Sequence, residues 1–180
     1  MLKNSIQDVY KRLESQRKVI LSQYDQLTPD QRQFKPGPDK WNLLQIIRHI
    51  IIAEKQSLIY IRRKSAAHNE ISDSGIGAVI RTFLLKFALW LPIKFKAPKI
   101  AQVDEDYPDY SSMKIEWDSV RADLQTIIEE YDEQKLKKEI YKHPKAGKMN
   151  LKQALEFFES HISHHQRQID RIMRNPKFPR

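Results

Sequence analysis

NLKQALEFFESHISHHQRQIDRIMRN, residues 150–175, reads as one amphipathic helix and decides the fold. Asn150 with Gln153 three positions on forms a capping box that opens the helix, and Pro176 stops it just past Arg174. At about 100° per residue with His161 set at zero, Ala154, Phe157, Phe158, Ile169 and Ile172 fall between about −40° and +80°. That arc is the buried face. His165 lies in its middle at about +40°, His161 lies beside it, and His164 lies on its edge at about −60°. Imidazoles at i and i+4 in an apolar stripe can present their nitrogens to one point. Burying two histidines costs free energy unless something satisfies them, and no acid shares that face. A metal ion would satisfy both.

Working back from this helix, Tyr141-Lys142-His143-Pro144-Lys145-Ala146-Gly147-Lys148 is a loop by composition. Before it, Trp117, Val120, Leu124, Ile127 and Ile128 mark a long helix from about Ser112 to Tyr131. The stretch 76–110 reads as a crossover. Val79, Ile80, Phe83, Leu84, Phe87 and Leu91 predict a helix ended by Pro92, followed by an irregular loop through Pro98 to Pro108. This helix is basic and aromatic, as a membrane-surface helix would be. The expectation is instead that it covers the bundle, because its apolar face would otherwise form a large exposed patch.

Asn42 with Gln45 is a second capping box, opening a helix from about Leu43 to Ala67. Its apolar residues lie almost all round, so it should be central and touch several neighbours. Arg48, His49, Glu54 and Lys55 interrupt the run short of the ~20 apolar residues a membrane span needs. A single histidine on such a helix is usually a hydrogen-bonded core residue. With a histidine pair on another inward face, His49 becomes a third candidate ligand, because bundles build metal sites from facing helices. Gln56 and Tyr60 fall near the His49 face and Gln168 near that of His165, as candidate supporting residues. Glu54 is off the His49 face, and His68 and His143 read as surface residues. The first helix carries Leu2, Ile6, Val9, Leu13, Ile20 and Leu27, and Thr28-Pro29-Asp30-Gln31 restarts a short helical turn after it.

Composition narrows the chemistry. In 180 residues there is no cysteine, so disulfides, thiolate ligands and a cysteine nucleophile are excluded, and a metal must sit on imidazole or oxygen. Only 4 glycines disfavour a sandwich or barrel. The N-terminal stretch MLKNSIQDVYKRLESQ has no apolar signal core, which makes a cytoplasmic location the expectation. The net charge of +9 is uneven: Lys135 to Lys152 holds seven lysines against Glu139, and Arg81 to Lys99 holds five basic residues and no acid. No nucleic-acid motif accompanies these runs, so a solvated basic face is the plain reading and no nucleic-acid partner is expected.

Taken in order, Lys40-Trp41-Asn42 leading a helix with His49, then His143-Pro144-x-x-Gly147, then His161-x-x-His164-His165-x-x-Gln168-Ile169 resemble the DinB-like superfamily. The resemblance spans nearly the whole chain. It implies a single all-α domain over 1–180, a four-helix bundle of up-down-down-up topology with the long crossover between its second and third helices. It also implies a divalent metal, zinc or nickel, on His49, His161 and His165. Three protein ligands leave a tetrahedral metal an open position for a water or a substrate thiol. The resemblance further implies a small-molecule substrate and either thiol-dependent S-transfer, with a low-molecular-weight thiol as co-substrate, or hydrolysis. A non-catalytic metal- or ligand-binding bundle is the alternative, ahead of a basic binder of anionic surfaces. Broad apolar faces suggest a homodimer.

Overall fold

In a computed structural model the chain is mostly helical, and residues 2–66, 71–91, 103 and 106–180 are described here. Among the described residues the α-helices are α1 (Leu2–Asp25), α2 (Pro29–Gln33), α3 (Leu43–Ala66), α4 (Ile76–Trp90), α5 (Tyr110–Glu130) and α6 (Leu151–Met173). The anticipated starts are made by the anticipated groups. Thr28 Oγ1 accepts from the Gln31 amide at 3.3 Å, Asn42 Oδ1 from Gln45 at 2.8 Å, and Asn150 Oδ1 from Gln153 at 2.9 Å. In each case the glutamine carboxamide oxygen returns the bond to the cap residue's own N–H. Asp109 caps α5 two residues earlier than the apolar stripe alone suggests, by accepting from Ser111 and Ser112.

Four long helices surround the core. α1 packs on α6 and α5, and α3 packs on α5 and α6. Leu13, Ile20, Leu43, Ile46, Ile50, Trp117 and Leu155 are fully buried between them. Cross-helix polar pairs fix how the helices sit: Arg12 with Glu159 and Gln23 with Gln166, Tyr10 with Gln125 and Asp25 with Lys114, Arg48 with Glu116 and Arg62 with Asp123. Inside the core the Glu54 carboxylate accepts from Trp117 Nε1 at 2.9 Å and from Arg121 Nη2 at 2.7 Å. Burial pushes the Glu54 carboxyl up, against the lowering influence of Arg121 and Trp117.

Two expectations need correction. Residues 141–149 are not a plain loop but a small hairpin, β1 (Tyr141–His143) against β2 (Gly147–Met149), antiparallel, with Lys142 opposite Lys148. Gly147 has φ +75°, a conformation that β-carbon-bearing residues rarely adopt, and it lets the chain return. The hairpin also removes His143 from the surface. His143 is half-buried, its ring centroid lies 4.5 Å from that of Phe157, and its Nδ1 accepts from the Lys145 and Ala146 amides. His68 lies outside the described residues.

The second correction concerns α4. It packs on α6 and β2 as a covering element should, through Ala78, Thr82 and Leu89. Its apolar face is nevertheless not covered: Ile76 is 80% exposed, Phe83 67%, Phe87 50% and Trp90 64%. The sequence misleads because α4 is apolar on two opposite faces and only the one with small residues meets the bundle. Among the described residues no helix is long and apolar enough to cross a membrane.

Candidate metal centre

His49 comes from α3, eight residues along from Trp41, while His161 and His165 come from successive turns of α6. α3 and α6 pack against one another, so their histidine-bearing faces meet. His49 Nε2 lies 3.3 Å from His161 Nε2, and His165 Nε2 lies 3.1 Å from His161 Nε2. All three ligand nitrogens lie within 4.8 Å of one another. His49 and His165 are buried, and His161 retains partial access to solvent.

The walls orient these rings. Trp41 lies over His49 with centroids 5.0 Å apart, and Phe157 stacks on His161 at 5.5 Å with 28° between planes. His165 donates from Nδ1 to the Gln168 carboxamide oxygen at 3.0 Å, so its proton sits on Nδ1 and Nε2 keeps its lone pair. Burial pushes the His161 and His165 imidazoles well below the ordinary histidine value. Proximity of the other histidines adds to this, His165 and His49 at His161, and His49 and His164 at His165. Both rings are therefore neutral near pH 7, the form in which imidazole binds metals.

The donor set fits a divalent ion. Ligand–metal distances of about 2.0–2.1 Å in a tetrahedral site imply nitrogens about 3.3–3.4 Å apart. His161 Nε2 lies 3.3 and 3.1 Å from the other two. One N–H on His161 can reach only one of its two neighbours at a time, whereas a cation at the centre satisfies all three lone pairs. Among the described residues no carboxylate joins the group.

Of the three supporting candidates, Gln168 bonds a candidate ligand, His165, directly. Gln56 is half-buried on α3, and Tyr60 is 40% exposed with its ring edge-on to Tyr141. His164 turns away from the centre: its Nδ1 donates to the Leu89 carbonyl at 2.8 Å, as does Arg167, so the last turn of α4 is fastened to α6. Two wall residues were missed in the sequence. Phe157 precedes His161 by one turn, a spacing that carries the signal. Trp41 precedes the N-cap of α3 and gives no periodic clue.

An all-α fold with three histidine nitrogens converging between two helices defines a helical protein with a candidate metal-binding centre. The chain belongs to the DinB superfamily, whose family model matches residues 12–169. No curated protein and no solved structure gave a match.

Proposed function

We propose that this chain binds one divalent metal ion through His49, His161 and His165 and uses it to activate a small molecule, with thiol-dependent S-transfer as the favoured reaction. The convergence of three imidazole nitrogens, with no carboxylate joining them among the described residues, carries the reading. The bound ion would supply Lewis acidity to a ligand at its open position. The chain's own groups then do the rest. Gln168 holds the His165 tautomer, Trp41 and Phe157 limit rotation of the rings they touch, and the apolar surroundings keep bulk water away.

S-transfer is favoured over hydrolysis because a hydrolase needs a base near the attacking water. Glu54 is unsuited to that task, since both its oxygens are held by Trp117 and Arg121. A thiol co-substrate brings its own nucleophile, which suits a chain without cysteine. The lack of a carboxylate beside the cluster among the described residues also supports the second reading, a binder without turnover. The proposal extends to architecture: one domain over 1–180 with 76–110 as crossover, and helices α1, α3, α5 and α6 running up, down, down and up. In support, contacts advance together between α1 and α6 and between α3 and α5, and run oppositely between α1 and α5.

Metal content of untagged protein is the test, beside His161→Ala and His165→Ala. About one zinc or nickel per chain, lost in both variants, is the expected result. A protein that carries no metal and takes up neither ion when it is added would remove the metal reading. Metal binding without transfer of any low-molecular-weight thiol to an electrophile would leave the binder.

A further inference from the structure

At about 100° per residue with Ile76 at zero, the exposed apolar side chains of α4 occupy a continuous arc of about 140°, from Val79 to Leu84. Seven large side chains at half exposure or more make an apolar patch on the order of 900 Å², above the few hundred Å² usual on a monomer. Ala78, Thr82 and Leu89 lie on the opposite side, against α6. The arc is bordered by Arg81 at about 140° and Lys86 at about −80°.

The surroundings of the patch are cationic. Arg81 donates to the Ala146 and Lys148 carbonyls, at 2.9 and 3.4 Å, which anchors the lysine-bearing hairpin beside the helix. Lys142, Lys145 and Lys148 on that hairpin are exposed. In the sequence no acid occurs between Arg81 and Lys99. Nearby Asp73 is paired to Lys138, Glu139 to Lys148 of the hairpin, and Glu156 to both Lys86 and Lys152.

We propose that α4 is a docking surface for an anionic lipid bilayer, lying in the plane of the interface with Phe83, Phe87 and Trp90 among the acyl chains and the flanking lysines over acidic headgroups. Its 15 residues span about 22 Å, too little to cross and suited to lying flat. Charge complementarity selects this occupant. A second copy would bring one basic rim against another, whereas an acidic leaflet attracts each lysine near it.

The test is flotation of the full chain with phosphatidylcholine vesicles and with mixed phosphatidylcholine–phosphatidylglycerol vesicles. Recovery with the anionic vesicles, reduced by added salt, is expected. So is a blue shift of tryptophan emission that Trp90→Phe abolishes. Phe83→Glu with Phe87→Glu should lower partitioning by about tenfold or more. Circular dichroism should be unchanged, as both side chains are at least half exposed. Absence of flotation, or flotation equal in the double variant, overturns the proposal. Light scattering then tests the other occupant: a dimer that Phe83→Glu dissociates gives the face to a second copy, and a monomer removes that occupant as well.

Discussion

Gln168 shows how one carboxamide sets the chemistry of its neighbour. Because its oxygen accepts from His165 Nδ1, the lone pair on Nε2 faces His161. Gln168→Leu should therefore keep the fold and weaken zinc or nickel affinity by about ten- to a hundredfold, measured by competition with a chelating dye. His143 offers a prediction about stability. Burial, with a smaller push from Lys145, lowers its imidazole to about 4. Its folded-state value is thus below the unfolded one near 6.5, so the unfolded chain takes up the proton first. Stability contributed here is full above about pH 6.5 and is lost as pH falls toward 4. Melting temperature should drop across that window, and His143→Asn, which retains an acceptor for the two amides without titrating, should shallow the drop. His161 and His165 act in the same direction in metal-free protein, so the slope should not vanish.

At the level of elements, the reciprocal bonds at Asn42 and Asn150 make a direct claim: Asn150→Ala should cost about 1 kcal/mol in urea unfolding. These caps are local in sequence, which is why helix starts at 43 and 151 could be read without coordinates. The buried face of α6 was legible for the same reason, since its stripe and its histidines share one period. The α4 helix was legible from its stripe and from Pro92, but its orientation was not. Periodicity finds an apolar face but does not say which of two such faces meets the protein, and here Ala78 and Thr82 meet it while Phe83 and Phe87 do not. The 141–149 hairpin escaped because Pro144 and Gly147 signal a turn, whereas pairing Tyr141 with Met149 depends on burial against α3 and α6.

Across the whole molecule, the proposed ligands join α3 to α6 over 112 residues of chain, the separation from His49 to His161. A metal bound only by the folded state should raise stability by about 2.7 kcal/mol at a free concentration a hundred times its Kd. Zinc should accordingly raise the melting temperature, chelation should reverse the gain, and His49→Ala should show neither change. A second kind of long-range tie is the buried ion pair on the far side of α3. Arg121→Met alone should destabilise by about 3–5 kcal/mol by leaving the Glu54 carboxylate buried without its partner. Glu54→Leu with Arg121→Met should recover most of that, as an apolar pair can fill the same space. Recovery of stability is not recovery of aim. Glu54 lies five residues past His49, and its two directed bonds stop α3 from sliding or rolling along α5. With the proposed metal in place, a leucine–methionine core, which keeps neither of these directed bonds from α3 to α5, should fold firmly while discriminating less well between one cation and the next in competition titrations.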